Sequence, residues 1–370
     1  MHIIVTILIT VLIFGLLIFI HELGHFLFAK LFKVYVHEFA LGMGPRILKK
    51  QGKETLYTLR LFPIGGFCAM EGEETVDDLK DDEPAPEKDS LGRKVITDRT
   101  RSFENKKIWQ RLMIIVGGAG MNLVLGVVAF TILVSMQNLV GTSTIAVFSE
   151  NAVSNEKLQV GDKISKINGL SVISSDDINL AFMRNDKNTA EFEVVRDNKK
   201  ITLSEVPMVY KEQAGVRYAE LDFKILGKKK NPLNVVAGGF LKSVSASRQV
   251  WISFTDLITG REKLESMSSI IGVGDMIGQA VEQSAAESIK KLVETLLFIT
   301  GLISVNLGIF NLLPFPALDG GRVVFLLVEG VIRRPVNRKI QAYVNFAGLA
   351  ALLLLMVFVT YNDIMRIFIK

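Results

Sequence analysis

Four histidines occur in the 370 residues, and two of them fall in the run His21-Glu22-Leu23-Gly24-His25. On a helix the i, i+4 spacing places both imidazoles on one face, where they can share a zinc ion. Glu22 beside them can take a proton from a water held by that ion. Catalytic zinc needs a third protein ligand and leaves one position for water. His2 opens the first apolar run and His37 lies among short strands, so neither is well placed. Asp319 is the carboxylate that stands out. It closes Asn311-Leu312-Leu313-Pro314-Phe315-Pro316-Ala317-Leu318-Asp319-Gly320-Gly321, where prolines and glycines must break a helix. Irregular backbone at membrane depth is tolerated where it lines a protein cavity. His21, His25 and Asp319 are therefore the candidate zinc ligands, and Glu22 the candidate general base.

The elements that must carry these residues are apolar. Uncharged runs cover Met1–Ile20, Leu112–Ser149, Thr295–Leu318 and Ile340–Asn362. About 20 apolar residues suffice to cross a hydrocarbon core. Apolar residues make up 49% of the chain and charged residues 22%, which alone would suit a soluble enzyme. The mean hydropathy of +0.35 comes from the concentration of apolar residues in those runs. The runs point to a membrane protein over a purely soluble or a disordered chain. The net charge of +5 calls for no nucleic acid partner. Cys68 is the one cysteine, so no intrachain disulfide forms, and it reads as an inert, small apolar residue. No Lys or Arg precedes the first run, and it leads straight into the histidine pair. It therefore reads as a retained helix, not a cleaved leader.

Basic residues at the ends of the runs set the orientation. Lys30, Lys33, Arg99, Arg101, Lys106, Lys107 and Arg111 flank the first connection, and Arg322, Arg333, Arg334, Arg338 and Lys339 the third. The opposite side has Lys290, Lys291, Arg366 and Lys370 near its span ends, twelve against four. The first and third connections should be cytoplasmic, and both termini and the middle domain outside. His21, His25 and Asp319 then lie at one depth, near the cytoplasmic face. Between the first two runs, Val34–Met70 reads as hairpin strands broken at Gly42-Met43-Gly44-Pro45 and Pro63-Ile64-Gly65-Gly66. Glu71–Asp89, with ten acidic residues and two lysines, reads as a solvated insert. In the middle connection Ile145–Phe148, Lys163–Ile167, Glu191–Val195 and Lys200–Leu203 read as strands, with turns at Asn168-Gly169 and Asp197-Asn198. Asn231–Gly260 has helical, amphipathic spacing and either lies on the membrane surface or packs on a neighbour.

At these residues the chain resembles the site-2 intramembrane zinc metalloproteases, in their bacterial regulator-of-sigma (RseP-type) branch. The likeness rests on His21–His25, Phe39–Pro45, Pro63–Phe67, Arg111 through Gly117-Gly118-Ala119-Gly120-Met121-Asn122, and residues 311–321. Leu158–Gly169 looks like part of a bacterial PDZ domain, and one such unit is visible. The resemblance implies that His21, His25 and Asp319 hold Zn2+ and that Glu22 is the base. It implies that Asn311 helps bind substrate and that Gly118 and Asn122 line the core, so Asn122 joins Asn311, Gly65 and Gly66 as candidate substrate-binding residues. It also implies that the hairpin offers an edge to an unwinding substrate.

The expected architecture is a polytopic α-helical membrane protein with four spans, an inserted β-rich PDZ-like domain and a cytoplasmic-side membrane-associated β-hairpin region. Its expected parts are a first helix (1–33), the hairpin (34–70), an acidic loop with a basic lead-in (71–111) and a second helix (112–140). A PDZ-like domain (141–210), an amphipathic helical region (211–291), a third helix (292–321), a connection (322–339) and a fourth helix (340–370) follow. The expected activity is zinc endopeptidase cleavage of transmembrane segments in single-span membrane proteins of a bacterial cell membrane, such as anti-sigma factors or signal-peptide remnants. A non-catalytic PDZ-containing scaffold would tolerate decay of the ligand set, yet Glu22 and Asp319 are intact. A metal-dependent transporter would place its carboxylates at mid-membrane, not on one side.

Overall fold

The computed structural model describes residues 2–73, 99–185, 187–213, 216–261 and 269–368. Most of the acidic insert lies outside the described residues. The chain forms two compact units, Met1–Leu125 with Thr259–Lys370, and Gly126–Ile258.

In the first unit, α1 (His2–Leu31) carries the first apolar run straight through the histidine pair, since no proline interrupts it. It stops where Lys33 turns left-handed at φ 59°. Strands β1 (Val36–Gln51) and β2 (Leu56–Met70) pair antiparallel with several irregularities. Phe39 lies opposite both Tyr57 and Cys68, and Ala40 opposite both Thr58 and Phe67. Residues 66–70 thus have β1 on one side, and among the described residues no further strand on the other. Gly65 has φ +78°, a bend that favours glycine. Helix α2 (Ile108–Met136) follows. A core of Ala29, Val34, Val36, Phe39, Cys68, Met70, Ile114, Ile115 and Leu326 ties the histidine end of α1 to the hairpin and α2.

The second helix ends at Met136, short of the expected residue 140, and the strand expected at Ile145–Phe148 begins earlier. Val140–Phe148 is a strand, β3, where threonines and β-branched residues disfavour helix. The second unit continues with β4 (Lys163–Ile167), β5 (Leu170–Ser171), α3 (Ser175–Met183), β6 (Thr189–Arg196) and β7 (Lys199–Pro207). Strands β8 (Val209–Gln213) and β9 (Val216–Glu220) form a separate hairpin, and β10 (Phe223–Lys228) returns to pair with β3. The main sheet runs β10-β3-β4-β6-β7, so this β-rich unit extends to residue 228 rather than ending at 210. Its core includes Ile145, Ile164, Ile167, Phe192 and Val194. Helix α4 (Pro232–Ile258) buries small and polar residues such as Gly239, Ser243 and Ala246. Asp256 at its far end pairs with Arg184.

Back in the first unit, α5 (Ile270–Glu287) packs against α1, α6 (Ile289–Asn311) and α8 (Arg338–Phe368). The sequence pattern carries the third apolar helix to residue 321. In the structure it ends at Asn311, because Pro314 and Pro316 cannot donate to a helical ladder. Asp319 instead opens a separate helix, α7 (Asp319–Ile332), in place of the plain connection expected there. Among the described residues, four helices are long and apolar enough to cross a membrane: Ile4–Leu31, Ile108–Met136, Ile289–Asn311 and Lys339–Met365.

Candidate active site

Helix α1 places His21 and His25 one turn apart, and their Nε2 atoms are 3.2 Å from each other. Asp319 Oδ2, at the first turn of α7, is 3.3 Å from His21 Nε2 and 3.4 Å from His25 Nε2. These are the spacings that a tetrahedral ion imposes: bonds of about 2.0–2.1 Å separate ligand atoms by about 3.3–3.4 Å. The three residues are the group of metal-ligating side chains that converges among the described residues. Asp319 Oδ2 is buried and makes no well-formed hydrogen bond. Two nitrogen atoms and a carboxylate oxygen, aimed at one another with too few protons between them, fit zinc.

Glycines make the assembly possible. A Cβ on Gly24 would overlap the Gly117 carbonyl, so α1 and α2 approach backbone to backbone there. A Cβ on Gly118 would occupy the place of His25 Nε2. His25 Nδ1 donates to the Ile114 carbonyl at 2.9 Å, which leaves its Nε2 lone pair facing Asp319. A Cβ on Gly320 would overlap the Leu313 carbonyl, so α7 starts hard against the proline turn and Asp319 is fixed with it.

A cavity of about 420 Å³ contains this group. It is lined by His21, Glu22, His25 and Asp319, and by Gly66, Phe67, Cys68, Ala69 and Met70 of β2. A Cβ on Gly66 would lie 3.1 Å from Glu22 Cγ, so the hairpin comes close to the candidate base. Gly65 does not line this cavity; the atom nearest to a Cβ placed there is Met43 Cε, across the hairpin. Asn311 Nδ2 lies 3.4 Å from His21 Nδ1. Asn122 Nδ2 lies 3.3 Å from the same atom, but this side chain is 0% exposed.

The profile of peptidase family M50 matches residues 9–355. The chain belongs to that family. The "Regulator of sigma-W protease RasP" of Bacillus subtilis is 32% identical over 434 aligned residues, covering 98% of this chain and 99% of the relative. The "Zinc metalloprotease RasP" of Bacillus licheniformis is 30% identical, covering 98% and 100%. The protein of that name from Geobacillus kaustophilus is 29% identical, covering 97% of each. This M50 peptidase is a site-2 type zinc metalloprotease, a multi-pass membrane protein that works by intramembrane proteolysis, and Zn2+ is its cofactor.

Two groups at the M50 site escape a reading of the sequence. Arg322 pairs with Glu73 at 2.6 Å, and both line the cavity around His21, His25 and Asp319 and a second cavity of about 890 Å³. Glu73 stands within a run of acidic residues that gives no sign of a partner 249 positions away. The Ile114 carbonyl has no side-chain signature at all.

Proposed function

We propose that the enzyme cleaves transmembrane segments of single-span membrane proteins, with His21, His25 and Asp319 holding zinc and Glu22 as general base. The observation that carries this reading is the convergence, in one cavity, of the donor triangle, Glu22 and the unpaired edge at residues 66–70. A membrane-spanning helix hides its carbonyls in its own hydrogen bonds. Adding the substrate as a strand to the edge at Gly66–Met70 would hold it extended. Gly66 lets that backbone come close to Glu22, Gly65 supplies a bend just before it, and the partly buried Asn311 amide beside His21 Nδ1 is the side chain proposed to meet a peptide group. A zinc ion held by His21, His25 and Asp319 would supply Lewis acidity toward the water and the scissile carbonyl. Glu22 takes the proton of the attacking water on its carboxylate and returns it to the leaving nitrogen.

The substrates we propose are single-span anti-sigma factors or signal-peptide remnants, in line with the name of the Bacillus subtilis relative. The lysine and arginine distribution supports an orientation with both termini and the β-rich unit outside. That unit is read as PDZ-like, and its role as sorting substrates by their external portion. The test of the chemistry is purified enzyme with a single-span substrate in lipid. Glu22→Gln should lose about 10²–10⁴-fold in cleavage, the worth of a positioned base, while retaining zinc. Undiminished cleavage by a zinc-loaded Glu22→Gln enzyme would overturn the assignment.

A further inference from the structure

His25 has its orientation settled by a group that can only accept. The Ile114 carbonyl takes Nδ1–H at 2.9 Å, so Nε2 carries the lone pair. His21 must have the same tautomer if its Nε2 is to face Asp319 Oδ2 and His25 Nε2 as a ligand. Its Nδ1 must then bear a proton, and that proton needs an acceptor. Two amides reach this nitrogen, Asn122 at 3.3 Å and Asn311 at 3.4 Å.

The oxygen and nitrogen of an amide occupy equivalent places, so hydrogen bonding decides which one faces the ring. With Nδ2 toward His21, Asn122 leaves Oδ1 buried and without a partner. It also forces the proton of His21 onto Nε2, among the metal ligands. With Oδ1 toward His21, the acceptor is used and Nε2 is freed. Asn122 is held in place for this role, since its side chain is 0% exposed and its main-chain carbonyl accepts from Ser304 Oγ of α6 at 2.7 Å. Asn311 is only partly buried, and its Oδ1 is not among the buried polar atoms left without a partner.

We infer that Asn122 is a positioning residue and not a substrate-binding one: its Oδ1 accepts from His21 Nδ1–H and so holds the His21 Nε2 lone pair ready for zinc. Asn311 is then left to the peptide. The inference rests on His21 being a zinc ligand.

The experiment is zinc affinity of the full-length protein in detergent, measured by chelator competition without substrate. Asn122→Leu keeps the volume and removes the acceptor; zinc binding should weaken about 10–100-fold. Asn122→Asp keeps an acceptor oxygen and should stay near the wild-type affinity. Equal weakening by both substitutions, or wild-type affinity in Asn122→Leu, would overturn the inference. Nitrogen-15 NMR of histidine in the zinc-loaded wild type needs no variant to fold. It should report Nδ1–H and metal-bound Nε2 for His21; a metal-bound Nδ1 or a protonated Nε2 would equally overturn it. Neither measurement involves cleavage, so failure here leaves the proteolytic reading standing on its own test.

Discussion

At Gly118 the missing side chain is what the site depends on. A methyl group on the neighbouring Gly120 would meet nothing within 4 Å, while one on Gly118 would collide with the His25 ring. Both glycines lie in α2, and alanine would raise helix propensity by about 1 kcal/mol at either. The pair therefore separates packing from propensity. Gly120→Ala should leave zinc affinity unchanged and raise stability slightly, whereas Gly118→Ala should weaken zinc binding by about tenfold or more. Zinc titration of the two variants side by side checks this, and indistinguishable affinities would contradict it. Cys68 lines the same cavity, but its sulfur is not among the ligand atoms that converge with His21, His25 and Asp319, and burial pushes its thiol pKa up. At this scale the chemistry is readable from sequence wherever it is carried by residue type at fixed spacing. His21, Glu22 and His25 share one helical turn, and the prolines and glycines around Asp319 mark a break that must have a purpose. The acceptors that orient the rings are not readable, since a main-chain carbonyl at Ile114 and a buried amide at Asn122 are defined only by the crossing of two helices.

The hairpin that carries the edge strand is bolted by a single carboxylate. Glu38 in β1 accepts from Arg46 at 2.8 Å, Thr58 at 2.6 Å and Arg60 at 2.8 Å. Burial alone would raise the Glu38 pKa, but the hydrogen bonds from Arg46, Thr58 and Arg60 outweigh it and hold the carboxyl below the usual carboxylate range. A lowered pKa means that the native state favours the ionised form. The contribution of Glu38 to stability is complete above the ordinary glutamate pKa and is lost as pH falls through the lowered one. Glu38→Gln should remove it at every pH, at a cost of about 1–3 kcal/mol for a charged, buried hydrogen-bonding group. Hydrogen exchange of residues 56–70 at neutral pH should quicken, and cleavage should fall while zinc affinity holds. Unchanged protection in the variant would mean that Glu38 does not brace the hairpin. Element positions are legible where turn chemistry is local: Asn168-Gly169 and Asp197-Asn198 do take left-handed backbone. They are obscured where composition is ambiguous. The strand read at Ile145–Phe148 starts at Val140, inside the same uncharged run as α2, and β10 belongs to the sheet only through its long-range pairing with β3.

For the molecule as a whole, orientation is a matter of charge. If the four helices of spanning length among the described residues all cross, both ends of the chain are expected on the same side of the membrane. Cationic residues near span ends are retained in the cytoplasm, and they cluster around the first and third connections. The acidic residues of 71–89 have little weight in this balance, because orientation follows lysine and arginine and not net charge. Residues 71–89 are thus expected inside and the β-rich unit outside. Cys68 is buried, so Cys68→Ser gives a thiol-free background at small cost to the surface. Two single cysteines added to it, Lys199→Cys at the exposed start of β7 and Asp82→Cys in the acidic segment, report the two sides. A membrane-impermeant maleimide applied to intact cells should modify the first and reach the second only after lysis. The opposite pattern would invert the molecule, and it would also move the His21, His25 and Asp319 group to the outer face, where a substrate's cytoplasmic portion could not be released by its cut. Modification of both positions in intact cells would instead mean that one of the four apolar helices does not cross.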